Sequence, residues 1–158
     1  MTQLTVRTPN DGRTITVVGD IYRFLVTAAD TDGKYAQFEA IVPPGGGPPP
    51  HVHSREEEGF FVLEGEITFI SGERRFVAGP GSFVNMPIGT PHCFKNETDR
   101  PARMMLTVAP AGFEQMFLDV GMEVPFGTTT APPPTKADID KLIEAAPRYG
   151  VTLLLPHH

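Results

Sequence analysis

His51 and His53 stand one residue apart in the stretch HVHSREEEGFFVLEG, and Glu56, Glu57 and Glu58 follow before an apolar run ends at Gly65. On a strand, side chains repeat every second residue, so both imidazoles reach the same side and can approach one ion. Two nitrogens make half a site. His92 lies far along the chain in a strand-like stretch and can add a third, and one of Glu56, Glu57 or Glu58 can add an oxygen. Three neutral imidazoles and a carboxylate suit iron, manganese, cobalt, nickel or zinc, and leave positions open when the ion is five- or six-coordinate. A His-x-His pair and a glutamate run also occur on ordinary solvated surfaces, so the weight rests on the pattern around them.

The elements that must position these residues read as short strands. Runs over Thr14–Val18, Ile21–Thr27, Tyr35–Val42, Gly59–Glu64, Ile67–Ser71, Arg75–Val77, Ser82–Met86, His92–Lys95 and Ala102–Val108 are apolar or β-branched. Asp11-Gly12, Asp32-Gly33 and Ser71-Gly72 sit between such runs, as hairpin turns do. In the third run Phe38, Ala40 and Val42 alternate with Gln37 and Glu39, the pattern of a half-buried strand. So many short strands predict an all-β sandwich or closed barrel. After Pro110, the residues Phe113, Met116, Phe117 and Val120 recur at helical spacing, with Gly121 as a stop. A second helix is predicted around Ile139, Leu142, Ile143 and Ala146, capped by Thr135 and ended by Pro147. The expected organisation is a barrel with its N-terminal strands and capping helix over residues 1–126. Residues 127–158 then carry a Pro/Thr-rich linker and a helix that packs on the barrel or on a partner.

Spacing beyond the histidines is ordered throughout. Gly45, five residues, His51, one, His53, four, Glu58, six and Gly65 form one series, and Gly81, five, Pro87, one, Gly89, two, His92, three and Asn96 form another. At all ten of these positions the chain resembles the two motifs of the cupin superfamily. The resemblance spans Gly45–Asn96 and implies a double-stranded β-helix, the jelly-roll barrel, with one divalent metal near its mouth. It implies His51, His53, Glu58 and His92 as ligands, and its spacing to Gly65 selects Glu58 over its neighbours. Glu58 shares strand parity with Phe60 and Val62, which agrees; Glu56 and Glu57 are then expected in the loop or at the rim. Asn96 is expected to secure a turn, Cys93 to face away from His92 as an inert thiol, and Arg55, Arg74 and Arg75 to be rim or turn charges. His157 and His158 read as a tail able to scavenge metal weakly.

Phe60, Val62 and Phe94 share parity with the ligands and are expected to line a greasy pocket, with Phe113, Met116 and Phe117 closing its mouth. Such a pocket suits an aromatic or hydrophobic substrate. Among cupins the arrangement is similar to small bacterial quercetin dioxygenases. That resemblance implies a metal-dependent dioxygenase for an enol, phenolic or flavonol-like compound, with dioxygen as co-substrate and Glu58 as ligand and base. A lyase or isomerase using the same ligands, and a non-catalytic metal- or small-molecule-binding cupin, are the other readings. A sugar-phosphate isomerase would need inward lysines or arginines, and the assignable inward positions are apolar. The net charge of −6 without a compensating basic run argues against nucleic acid and anionic membrane as partners. Neither an apolar leader nor a run of 18 apolar residues is present, and Cys93 is the only cysteine, so a reducing cytoplasmic setting is expected. Family habit suggests a homodimer, paired through a strand before Tyr35 or through the C-terminal helix.

Overall fold

The structure is a computed structural model that describes residues 2–156, so His157 and His158 lie outside the described residues. In chain order the strands are β1 (Thr14–Val17), β2 (Asp20–Val26), β3 (Ala36–Val42), β4 (His51–His53), β5 (Glu57–Glu64) and β6 (Ile67–Ser71). They continue as β7 (Arg74–Ala78), β8 (Phe83–Met86), β9 (Cys93–Lys95), β10 (Ala102–Ala109), β11 (Met122–Glu123) and β12 (Val151–Leu153). The helices are α1 (Ala28–Thr31), α2 (Glu114–Val120) and α3 (Lys136–Ala145), the last running into a 3₁₀ turn at Ala146–Tyr149.

One antiparallel sheet has the order β11-β1-β2-β3-β10-β5-β8. Two smaller pieces, β12-β4 and β7-β6-β9, are joined by an antiparallel bridge between His51 and His92. The second layer therefore runs β12-β4-β9-β6-β7. Together the layers form the expected jelly-roll barrel. Alternation fills its interior: Met104, Leu106 and Val108 on β10 face inward beside Phe60 and Val62 on β5, with Phe38 and Phe69 among the fully buried rings. On the outer face Glu39 bridges Arg23 at 3.0 Å and Arg103 at 2.9 Å, tying β2, β3 and β10 together.

Two of the predicted hairpin turns are corrected. Asp11-Gly12 joins no hairpin, since no strand precedes Thr14 among the described residues; the first hairpin turn is Val18-Gly19, where Val17 pairs with Asp20. Both turn residues have positive φ, 48° and 90°, as a two-residue hairpin of this hand requires. Valine disfavours that region, which hides the turn from a reading by residue type. Asp32-Gly33 closes α1 rather than a hairpin: Asp30 accepts the Thr27 N–H at 2.9 Å, and Asp32 takes the left-handed conformation that ends the helix. Ser71-Gly72 does lie in a hairpin, with Ser71 paired to Arg74.

Thr135 caps α3 as predicted, accepting the Asp138 N–H at 3.2 Å while Asp138 accepts the Thr135 N–H at 2.8 Å. Leu142 and Ala145 are buried within the chain, and Ile139 and Ile143 stay 40% and 39% exposed. The reading by residue type omitted β11 and β12. The chain turns back after Gly150 and pairs Val151 with His53 and Leu153 with His51.

Candidate metal centre

β4 is clamped on both edges. β12 holds one side; on the other, His51 and His92 exchange backbone hydrogen bonds of 3.0 Å each, which sets their rings 4.5 Å apart. Glu58 comes from the facing layer, in register with Val108 of β10 and Met86 of β8. One ligand atom from each of His51, His53, Glu58 and His92 lies within 4.8 Å of the others, and all four residues are buried. Gly65 permits the tight return of β5: it has φ 73°, and a Cβ there would sit 2.9 Å from Ala102 Cα.

The imidazoles are held in one tautomer. His51 Nδ1 donates to Pro49 O at 2.8 Å, His92 Nδ1 to Thr90 O at 2.8 Å, and His53 Nδ1 to Glu56 Oε1 at 2.6 Å. Each ring therefore turns its Nε2 lone pair inward. There they meet Glu58 Oε1, at 2.7 Å from His53 Nε2 and 3.2 Å from His92 Nε2. While all three inward nitrogens are unprotonated, Glu58 Oε1 and His92 Nε2 are buried without a hydrogen bond among the described residues. Converging lone pairs repel unless a cation or a shared proton lies between them, and this donor set fits a divalent transition metal.

In the metal-free cluster a proton takes that place on His53. Burial alone would lower its pKa, but the hydrogen bonds to Glu56 and Glu58 outweigh it and bring the ring to about 9. Burial drives His51 down to about 4. Burial also pushes Glu58 upward, yet the protonated His53 ring beside its Oε1, with the other imidazoles close by, holds its carboxyl below the usual range.

Glu56 does lie in the loop between β4 and β5, but it is not a solvated charge. It is only 3% exposed, with its side chain folded back onto His53. The signal was present, since Glu56 and Glu58 share parity; the habit of treating charges as solvated concealed it. Glu57 does point outward and accepts a hydrogen bond from Asn85 at 2.7 Å. Asn96 ties a turn, donating to Val42 O at 2.9 Å and Arg100 O at 2.7 Å. Cys93 is half-buried. Arg75 pairs with Glu97, Arg74 lies 5.1 Å over the Phe76 ring, and Arg55 donates to Arg148 O at 3.3 Å.

His51, His53 and Glu58 open onto a cavity bordered by Phe94, Phe113, Met116 and Phe117. Phe60 and Val62 are not part of its lining. They point inward, but into filled core beneath the ligands, where Phe60 packs 5.2 Å from Phe69 and 6.1 Å from the His92 ring. The enclosed space is about 50 Å³, against about 580 Å³ when solvent at the mouth is counted. The smaller figure governs fit, and it holds a few waters. α2 covers this space, with Phe113 4.7 Å from the His53 ring and Phe117 stacked 4.4 Å from Tyr22. Tyr22 and Asp20 also border the cavity, and residue types alone did not single them out.

A double-stranded β-helix with three histidines and a glutamate converging inside it defines a cupin-type centre. Comparison with known proteins agrees: residues 38–108, a little under half of the chain, match the family model for the cupin domain. The chain is similar to a quercetin 2,3-dioxygenase of Bacillus subtilis, 26% identical over 106 residues, covering 66% of this chain and 31% of that protein. It thus spans about a third of that relative's length. Among solved structures it superposes on a predicted oxalate decarboxylase from Thermotoga maritima (TM-score 0.61, 18% identity, 68% of this chain and 99% of that one). It also superposes on the polyketide cyclase RemF from Streptomyces resistomycificus (TM-score 0.60, 20% identity, 88% and 99%). At these identities the structural likenesses show the fold alone. Among the described residues no helix is long and apolar enough to cross a membrane.

Proposed function

We propose that this chain is a metal-dependent dioxygenase for a small enol or phenolic compound, of the kind represented by flavonols. The observation that carries the reading is the convergence of the inward imidazole nitrogens and Glu58 Oε1 beneath an apolar cavity. His51, His53, Glu58 and His92 would hold the ion. A metal bound there supplies Lewis-acid polarisation of a chelating substrate oxygen and a redox route to dioxygen. The protein's own part is positioning and proton handling. Glu58 takes the proton released by the substrate hydroxyl, Glu56 keeps His53 oriented, and the phenylalanines of the cavity exclude water, which strengthens every charge interaction inside. A two-ring substrate exceeds the enclosed space, so α2 must swing Phe113 and Phe117 aside to admit it.

The cavity size also favours a second reading, a metal-dependent lyase for a smaller molecule. A sugar-phosphate isomerase gains no support, because no lysine or arginine borders the cavity. Homodimer assembly in a cytoplasmic setting belongs to the same proposal, and exposed Val77 and Phe83 on the outer strands β7 and β8 offer apolar surface for it.

Elemental analysis of protein purified without added metal, followed by oxygen-electrode assays on iron-, manganese-, cobalt- and nickel-loaded protein with flavonols and catechols, tests the reading. About one redox-active ion per chain with substrate-dependent oxygen uptake is expected. Stoichiometric metal with no oxygen uptake on any substrate would transfer the proposal to the lyase.

A further inference from the structure

The cavity wall is apolar except for His51, His53 and Glu58 and a pair of side chains on β2. Asp20 and Tyr22 share strand parity, both border the cavity, and they are 2% and 3% exposed. Asp20 Oδ1 accepts the Gly47 N–H at 3.1 Å, packed so closely that a Cβ on Gly46 would lie 2.6 Å from it. Among the described residues, Asp20 forms no ion pair, and neither its Oδ2 nor Tyr22 Oη makes a hydrogen bond. An aspartate buried beside apolar side chains without a cationic partner is costly, and a polar ligand group that meets it recovers that cost. The Tyr22 ring sits edge-on to Phe38 of β3 at 5.8 Å, a contact that does not depend on α2.

We propose that Asp20 and Tyr22 are specificity-determining residues that hydrogen-bond a ring hydroxyl of the organic substrate, at a point away from the oxygens that chelate the metal. The inference rests on the dioxygenase reading and narrows its substrates to polyhydroxylated aromatics. Burial lifts Asp20 to about 7, so near neutrality its free oxygen both accepts and offers a proton to such a hydroxyl. The purely structural role for Asp20 is to pin the Gly45–Gly47 turn that leads to His51.

Asp20→Asn separates the two roles, because asparagine retains an oxygen for the Gly47 N–H and changes only the other carboxylate atom. Tyr22→Phe keeps the ring and its edge contact with Phe38 and removes only Oη, and it carries the test independently should the first variant misfold. Cobalt-loaded wild type and variants are titrated without oxygen against quercetin and against unsubstituted flavonol, which has only the chelating oxygens, with binding read from flavonol absorption. Each variant is expected to bind quercetin about tenfold more weakly, the equivalent of one hydrogen bond, with unsubstituted flavonol and cobalt content unchanged. Equal weakening for both flavonols, or none for either, overturns the assignment and leaves the dioxygenase reading standing. Failure of wild type to bind either flavonol overturns the flavonol reading and this assignment together.

Discussion

Replacing Asp20 by asparagine should stabilise the protein in mild alkali and leave its stability unchanged in acid. Burial raises the Asp20 pKa from 3.8 to about 7, roughly three units, and at 1.36 kcal/mol per unit this amounts to about 4 kcal/mol. Between those two values the folded chain keeps a proton that the unfolded chain has lost. Stability contributed by the neutral carboxyl is therefore complete below about pH 4 and is lost as pH rises through about 7. Asparagine stays neutral throughout. The assay is urea unfolding of metal-free wild type and Asp20→Asn at intervals from acid to mild alkali, read as the difference between the two at each pH. Taking the difference cancels the titration of the histidines and of Glu58, which both proteins share. The variant's advantage should grow from near zero to as much as ~4 kcal/mol above neutrality. A flat difference curve, or an asparagine variant that is the less stable above neutrality, would refute the claim that a desolvated carboxyl borders the cavity.

Removing the support of His53 by Glu56→Ala should weaken metal affinity by roughly 10- to 100-fold, measured by chelator competition, whereas unchanged affinity would strip Glu56 of its orienting role. Glu57→Gln should leave metal content intact while Glu58→Gln lowers it, and the reverse result would move the oxygen ligand to Glu57. Metal uptake near neutral pH should release about one proton, because His53 at about 9 is protonated beforehand and His51 at about 4 is not. Calorimetry in buffers of different ionisation enthalpy counts that proton, and bound metal should then be lost as pH falls below about 6. Phe117→Ala should lower KM for two-ring substrates more than for single-ring ones, since it opens the wall that α2 lays over the cavity; an equal effect on both would remove α2 as the barrier to entry.

The side-by-side placement of His51 and His53 was legible in the chain because its cause is local. Parity puts His51 and His53 on one side of a strand and Glu58 on the face of Phe60 and Val62, and the glycine spacing marks where β5 must turn. The same parity rule reaches Glu56. The Thr135 cap of α3 and the apolar spacing of α2 were legible for the same reason, each being complete within a few residues. Tertiary structure decided what depends on partners distant in the chain. His92 becomes a neighbour of His51 only through a bridge between segments some 40 residues apart, and β12 reaches β4 from the far end of the chain. Parity states that Phe60 and Val62 face inward but not how deep they lie, so only packing separates core from cavity wall. Asp20 is likewise an ordinary turn residue by type; it becomes a desolvated carboxyl because the Gly46-Gly47 turn closes over it. Periodicity and backbone preference act within a strand or a turn, whereas burial depth and strand register are properties of the closed barrel.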